Sequence, residues 1–205
     1  MARRGDTRER LLDIAETQVL AKGFGATSIE EIITEAEITK SGFFYHFRDK
    51  GVLARALIER YIRRDDEIFD DIFARGRDLS DDPLQAMLIS LKLFAELLDD
   101  IEGGHPGCLI ATYAYQERLF DRDVHALNRE ALISWRNRFM AAFEEIARTY
   151  PPREPVDLSE LADMVTTVIE GGIVMSKALG DPQKLPEQVL MLRSFLKLLF
   201  EPVRN

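Results

Sequence analysis

The sequence predicts an all-α protein, on two observations. Apolar residues recur at helical spacing along almost the whole chain, whereas the alternating Val- and Thr-rich runs typical of strands are absent. Segments rich in Gly and Pro separate the periodic stretches, at 103–107, 150–155 and 180–186. The predicted helices cover residues 7–22, 28–36, two turns after Thr39, 50–74, 84–101, 107–120, 123–149, 158–179 and 185–200.

Capping residues mark the starts of the first four predicted helices. Thr7 precedes the first helix, and Gly23 closes it. Ser28 and Glu31 have the spacing of a capping box, in which each side chain bonds the backbone of the other. Thr39 is the predicted cap of the third helix, and Asp49 caps a long fourth helix.

The order of a helix, a short helix, a tight turn and another short helix is that of a helix-turn-helix, whose second short helix enters the major groove of DNA. This helix carries five consecutive rings, FFYHF at 43–47, which cannot form one amphipathic stripe. We therefore expect some rings to face inward and others to face a partner. The predicted inward residues are Ile38, Phe44 and Phe47, and the outward ones are Lys40, Ser41, Phe43, Tyr45 and His46.

The distribution of charge supports a nucleic-acid partner for the N-terminal part. The chain has a net charge of −9, yet residues 1–64 contain 12 Lys/Arg and 10 Asp/Glu, which gives +2. The remainder contains 15 and 26, which gives −11. Basic residues near the aromatic run can meet phosphates, while the acidic remainder opposes nonspecific binding.

The stretch TSIEEIITEAEITKSGFFYHFRDKGVLARAL at 27–57 resembles the DNA-binding domain of TetR/AcrR-family transcriptional repressors. The matching positions are Thr27, Ile29, Ile32, Thr39, Gly42, Tyr45, His46, Phe47 and Lys50. The specific resemblance covers about residues 7–57, and the rest of the chain matches in its helical layout. Glu37 departs from the pattern, because the family usually has Gly in the turn; a non-Gly residue in a left-handed turn costs roughly 1 kcal/mol.

The resemblance implies a role for each matched position and its neighbours. Thr27 and Ser28 would meet a phosphate at the start of the second helix. Thr39, Lys40, Ser41 and Phe43 would approach base edges, with Gly42 allowing close approach. Tyr45, His46 and Lys50 would hold the DNA backbone, and Arg3 and Arg4 would reach the adjacent minor groove.

The C-terminal helices are rich in aromatic and Met residues, which are either ordinary core or the lining of an apolar ligand cavity. The resemblance favours a cavity for a small apolar or amphipathic inducer. The candidate ligand-binding residues are Met87, Leu91, Phe94, Cys108, Tyr113, Trp135, Phe139, Met164, Val168 and Met175.

In the family the last two helices of two subunits form a four-helix dimer interface, which requires apolar faces. The alternative for these faces is a core contact within one subunit. The candidate dimerisation residues are Leu161, Val165, Leu192, Phe195, Leu196 and Leu199.

Motifs for catalysis or metal binding are absent from the sequence. It contains no phosphate loop, no HExxH and no nucleophile elbow, and its three His and one Cys lack metal-ligand spacing. We therefore expect no cofactor and no metal. Cys108 is either a sensor of electrophiles or oxidants at a helix start, or a small buried hydrophobe.

The sequence therefore predicts a ligand-responsive repressor that binds a palindromic operator in double-stranded DNA as a homodimer. We place a helix-turn-helix domain at 1–50 and a ligand-binding and dimerisation domain at 51–205, joined by the long fourth helix. With no long apolar segment, we expect a cytoplasmic protein with no membrane partner. The alternative is a helical-bundle enzyme or small-molecule carrier without specific DNA binding.

Overall fold

A computed structural model of the protein describes the backbone of residues 4–200 and the side chains of residues 7–200. Within that range the chain is all-helical, as predicted, with no strand and with one 3₁₀ turn at Glu117–Leu119. The helices are α1 (Arg4–Lys22), α2 (Ile29–Glu35), α3 (Lys40–His46), α4 (Lys50–Leu79), α5 (Pro83–Asp99), α6 (Leu109–Tyr115), α7 (Arg122–Thr149), α8 (Leu158–Leu179) and α9 (Lys184–Phe200).

The predicted caps of α2, α3 and α4 are confirmed. The Ser28 hydroxyl accepts the Glu31 N–H at 3.2 Å, and the Glu31 carboxylate accepts the Ser28 N–H at 2.9 Å, so both halves of the capping box form. Thr39 accepts the Gly42 N–H at 3.1 Å, and Asp49 accepts the Val52 N–H at 2.9 Å. These bonds satisfy backbone donors that helix starts leave unpaired.

Three helices differ from the predicted bounds. Helix α1 already begins at Arg4, so Thr7 lies inside it and the prediction that Thr7 caps this helix is wrong. The stretch predicted as one helix at 107–120 is broken at Gln116, whose φ of −116° and ψ of 29° are not helical. Helix α4 continues through Gly76 to Leu79, five residues beyond the predicted end. There is no room for a larger residue at Gly76, because a Cβ there would lie 2.1 Å from Ser90 Oγ and 2.6 Å from the Ala86 carbonyl oxygen.

The chain divides into two compact units. Unit 1 contains residues up to 64 together with 106–131, and unit 2 contains 65–105 together with residues from 132 onward. This partition differs from the sequence-based division at residue 50, because α6 and the start of α7 pack into unit 1. Both α4 and α7 therefore run through the two units, whereas the sequence suggested this only for α4.

The core of unit 1 lies between α1 and the three helices that follow it. Its fully buried apolar side chains include Leu11, Leu12, Ile32, Phe43, Phe47, Leu53, Leu57 and Ile58. Glu16 of α1 is also buried, and its carboxylate accepts bonds from Arg60 and Arg64 of α4 at 2.7 Å each. Removing one partner of such a buried pair is costly, so these bonds fix α1 against α4.

Unit 2 is built around α9, against which both α5 and α8 pack. Phe143 of α7 stacks on Phe200 of α9, with ring centroids 6.3 Å apart. Arg136 of α7 binds Asp163 of α8 through two bonds, of 2.7 and 2.5 Å. Apolar packing and this bidentate pair together hold the helices of unit 2.

Candidate nucleic-acid interface and ligand cavity

Helix α3 presents four exposed side chains on one face: Lys40, Ser41, Phe44 and Tyr45. These positions are i, i+1, i+4 and i+5, which lie side by side on a helix. Phe44 and Tyr45 are 42% and 61% exposed, which is unusual for rings of this size. We call these four residues the recognition face.

The prediction that Phe43 faces outward and Phe44 inward is wrong. Phe43 is 0% exposed and packs against Phe47, four residues later, at a centroid distance of 5.7 Å. Residues four apart share a helix face, so burying Phe47 also buries Phe43 and turns Phe44 to the surface. Phe44 lies three residues before Phe47, a spacing that also permits a shared face, so the sequence alone left the choice open.

Lys40 on the recognition face is held only loosely. Its ammonium lies 3.1 Å from the Glu30 carboxylate, and both side chains are well exposed. Exposed pairs of this kind contribute little, about 0 to 1 kcal/mol, so the phosphate of a DNA backbone can compete for Lys40. The Lys40 ammonium also lowers the pKa of Glu30.

Thr39 and Gly42 shape the start of α3. The Thr39 hydroxyl lies 3.0 Å from the Ser41 hydroxyl and also caps the helix. A Cβ at Gly42 would lie 3.3 Å from Thr39 Oγ1, so the glycine leaves room for this cap. Thr39 therefore serves the helix itself, while Ser41 lies on the recognition face.

The turn between α2 and α3 has the left-handed residue that the sequence suggested. Glu37 has a φ of +51°, the one positive value found at a non-glycine position among the described residues. The backbone N–H of Ile38 closes the turn by donating to the Ile33 carbonyl at 3.2 Å. Glu37 therefore takes the usual glycine conformation with its strain, and the turn keeps its shape.

The residues before α2 divide into a buried and a surface group. Thr27 is buried, and its hydroxyl donates to the Gly23 carbonyl at 3.0 Å. It therefore stabilises the turn rather than making the phosphate contact that the sequence predicted. Ser28 is partly exposed and takes part in the capping box. The Lys22 ammonium, followed by the Ser28 hydrogen bonds, lowers the pKa of Glu31 to about 2.

Lys50, predicted to hold the DNA backbone, is engaged within unit 1. Its ammonium donates to the Phe24 carbonyl at 2.6 Å and lies 4.4 Å from the centre of the Phe24 ring. Partial burial lowers the pKa of Lys50. His46 is half-buried, with its ring edge-on to Tyr45 at 5.1 Å. Arg3 and the side chain of Arg4 lie outside the described residues.

Unit 2 contains a small apolar cavity of about 10 Å³, the room of about one water molecule. Four of the predicted ligand residues line it: Met87, Leu91, Phe94 and Phe139. Sequence reasoning missed other lining residues, notably Phe69 and Phe73, which are four apart on α4 and both contact the Phe139 ring. Val165 and Leu192, predicted for dimerisation, also line the cavity.

The other predicted ligand residues lie elsewhere. Trp135 is buried beside Phe69, with ring centroids 6.5 Å apart. Met164 and Val168 are half-buried and do not line the cavity, and Met175 is exposed. Cys108 and Tyr113 belong to unit 1. Cys108 is buried at the start of α6, which favours its interpretation as a small hydrophobe.

The predicted dimerisation set is corrected in the same way. Its members Leu161, Val165, Leu192, Leu196 and Leu199 are buried within the subunit. Phe195 is exposed, and other large apolar side chains accompany it on α8 and α9. The exposed face consists of Val174, Met175, Leu179, Met191, Phe195 and Leu198. We call these six residues the α8–α9 face.

No group of three or more His, Cys, Asp or Glu suited to a metal ion occurs among the described residues. None of the helices in the described part of the chain is long and apolar enough to span a membrane.

Two protein-family models match this chain, one in its N-terminal part and one in its C-terminal part. Residues 11–57 match the model of bacterial regulatory proteins of the tetR family. Residues 83–188, about half of the chain, match the C-terminal domain of LmrA/YxaF-like transcriptional regulators. The protein belongs to the TetR family of transcriptional regulators.

Sequence similarity to other transcriptional regulators extends over most of the chain. The regulator YxaF of Bacillus subtilis is 26% identical over 176 residues, covering 86% of this chain and 87% of YxaF. LmrA of the same species is 29% identical over 179 residues, covering 84% and 87%. A TetR-family regulator from Agrobacterium tumefaciens has the same fold, with a TM-score of 0.77, 19% identity, and coverage of 96% and 99%.

Membership in the TetR family decides between the two functions that the sequence left open. Both matching domains and the relatives are transcriptional regulators rather than enzymes. The resemblance of residues 27–57 to a DNA-binding domain is thereby confirmed.

Proposed function

We propose that this TetR-family protein is a repressor that binds a palindromic operator as a homodimer and is released by a small apolar or amphipathic inducer. The observation that carries the proposal is the recognition face of α3. Its two exposed rings, hydroxyl and ammonium stand together on a helix whose buried side is anchored by Phe43 and Phe47. Such a surface is costly in water and suits a partner with both apolar and anionic groups.

Each side chain of the recognition face matches a feature of the major groove. Lys40 can bond a phosphate or the acceptors of guanine, and the Ser41 hydroxyl can bond either bases or backbone. The Phe44 ring can contact the methyl group of thymine. Tyr45 can bond a phosphate through its hydroxyl. Ser28, which caps α2, lies in the same helix-turn-helix.

The α8–α9 face supports the homodimer. Six of the seven large apolar side chains that are exposed on α8 and α9 belong to this face. A second copy that presents the same face would bury them in a four-helix contact, the isologous arrangement that two-fold symmetry produces. A two-fold dimer in turn requires a palindromic operator, because its two recognition helices are related by the same axis.

The apolar cavity of unit 2 supports the inducer. Its lining of Phe, Leu and Met side chains favours an apolar ligand, and Met87 can adapt its shape. Because the cavity holds only about one water molecule, a ligand must displace ring side chains to enter. An inducer that binds this rearranged state more tightly than the closed state shifts the population toward the rearranged state.

The test of DNA binding begins with selection of bound sequences from random double-stranded DNA, followed by affinity measurements between 50 and 200 mM salt. We expect a palindromic consensus and an affinity that falls steeply with salt. Lys40→Ala should reduce the magnitude of the logarithmic salt slope by about 1.8, because each subunit of the dimer loses one phosphate contact and each contact contributes about 0.9.

Lys22→Ala is the matched control, because Lys22 also pairs with a neighbouring glutamate but lies on α1. It should leave the slope unchanged. The proposal fails if no sequence is enriched, or if Lys40→Ala and Lys22→Ala behave alike. Adding candidate apolar ligands to the same assay identifies inducers by release of the selected DNA.

A further inference from the structure

The turn between α1 and α2 is held by three polar side chains, two of them distant in sequence. Gln116 accepts the backbone N–H of Gly25 through Oε1 at 3.0 Å. Lys50 donates to the Phe24 carbonyl at 2.6 Å, and Thr27 donates to the Gly23 carbonyl at 3.0 Å. Consecutive peptide groups of this short turn are therefore bonded to side chains.

Two glycines allow the segment around Gln116 to lie directly on this turn. Gly23 has a φ of +86°, and a Cβ there would lie 2.2 Å from Gln116 Nε2. A Cβ at Gly25 would lie 3.1 Å from Leu119 Cδ1. Any larger residue at Gly23 would meet the Gln116 amide and would also have to adopt a left-handed conformation.

An aromatic cluster surrounds the same turn. Phe24 is buried, and its ring centroid lies 5.8 Å from that of Tyr113 and 4.9 Å from that of Phe120. The rings of Tyr113 and Phe120 stack at 4.1 Å, and the Tyr113 hydroxyl donates to the Ala54 carbonyl of α4 at 3.0 Å. Tyr113 and Phe120 thus flank Gln116 in sequence and fix its position relative to α4.

The break between α6 and the 3₁₀ turn explains how Gln116 reaches Gly25. Its non-helical backbone ends α6 and directs the chain over the turn, where the amide side chain is half-buried. Within unit 1, α6 packs on α1 while α2 packs on both α1 and α3. Fixing the turn therefore fixes where α2 leaves α1, and α2 in turn supports the recognition helix.

We propose that Gln116 is a positioning residue for DNA binding, which holds the α1–α2 turn and thereby the orientation of the helix-turn-helix. This inference rests on the proposed operator binding. The residue contacts no DNA in this mechanism; it acts through the Gly25 N–H. A neutral amide oxygen performs this task without placing a negative charge in a domain that binds phosphates.

The test compares Gln116→Met, which keeps the length but removes the acceptor, with Gln116→Glu, which keeps the acceptor. In the full chain without DNA, amide hydrogen exchange at Gly25 should become faster in Gln116→Met and stay near wild type in Gln116→Glu. Affinity for the selected operator at about 0.15 M salt, where distant charges are screened, should fall about 3- to 10-fold in Gln116→Met. Gln116→Glu should keep most of the wild-type affinity.

Gln183→Met is the matched control, because Gln183 bonds the Asp99 side chain in unit 2 and should leave both measurements unchanged. Wild-type affinity in Gln116→Met, or equal losses in Gln116→Met and Gln116→Glu, would overturn the inference while the proposed function stands. Absence of sequence-specific binding by the wild type would overturn the function and the inference with it.

Discussion

At the residue scale, the aromatic run at 43–47 shows how one helix separates neighbouring rings by function. Phe43 and Phe47 are fully buried, while Phe44 and Tyr45 between them are exposed. Adjacent residues on a helix point about 100° apart, so a run of rings must supply both an anchor and an outer surface. The buried rings stabilise the folded domain, and the exposed rings are accessible to a partner.

Phe43→Ala should lower the free energy of unfolding by about 3–5 kcal/mol, because it leaves a cavity in a closely packed core. Phe44→Ala should change it by less than about 0.5 kcal/mol, since Phe44 is partly exposed, yet should relax base preference at one position of each half-site. Urea denaturation and sequence selection measure the two effects. Equal destabilisation by the two substitutions would contradict the assignment.

The capping box of α2 predicts a dependence on acidity. The pKa of Glu31 is lowered to about 2 in the folded protein, against an ordinary value of 4.5. A depressed pKa adds stability that is present above the unfolded value and is lost as the pH falls through the folded one. The α2 cap should therefore weaken between about pH 4.5 and 2.

Carboxyl resonances followed by NMR should show Glu31 titrating near pH 2, and Lys22→Met should move the midpoint upward. Lys92→Met removes a comparable exposed ion pair with Glu96 and should leave the Glu31 titration unchanged. A wild-type midpoint near 4.5 would show that the Lys22 and Ser28 bonds do not persist in solution.

At the element scale, two consecutive glycines in α8 have different environments. A Cβ at Gly172 would lie 2.7 Å from Leu185 Cδ1 and 3.1 Å from its Cα, whereas a Cβ at Gly171 would meet nothing within 4 Å. Gly172 therefore permits the close packing of α8 on α9. No close contact within the subunit requires a glycine at position 171. Gly171 lies one turn before Val174 and Met175 of the α8–α9 face.

Gly172→Ala should destabilise the protein by about 1–3 kcal/mol through overpacking against the α9 backbone. Gly171→Ala should stabilise it by about 0.5–1 kcal/mol, because alanine favours the helix. Urea unfolding in a Phe195→Glu background, which splits the proposed dimer, separates these effects from association. A stabilising Gly172→Ala would contradict the close approach of the two helices.

At the scale of the whole molecule, the apolar residues of α8 and α9 serve two surfaces at once. One side of these helices forms the core of unit 2 around Val165, Leu192 and Leu196, and the other forms the exposed α8–α9 face. A helix that is apolar on both sides requires two partners. The core supplies the first, and the proposed second subunit supplies the other.

Phe195→Glu should convert the proposed dimer into monomers, because a charge would be buried within the α8–α9 face. Leu132→Glu is the matched control, since Leu132 is an exposed leucine on α7 outside that face. Sedimentation velocity measures both, and half-site spacing of about 34–36 Å in the selected operators is the corresponding DNA result. A wild type that sediments as a monomer would remove the dimer and the palindrome together.

The sequence by itself determined the all-helical fold, the caps of α2, α3 and α4, and the DNA-binding class. Ser28 with Glu31, Thr39 and Asp49 act within four residues of their own position, so their bonds can be read locally. The left-handed conformation at Glu37 was equally local. The motif of residues 27–57 was specific enough to indicate the TetR family, which the family comparison confirmed.

Only the tertiary structure decided which side of each helix is buried and which distant segments meet. Phe43 and Phe44, or Leu196 and Phe195, differ by one helical step, and either phase satisfies an apolar pattern until the neighbouring helices are in place. The bond between Gln116 and Gly25 joins residues 91 positions apart and leaves no periodic trace in the sequence. Helix formation follows local backbone preferences, whereas the choice of face follows packing between segments that are remote along the chain.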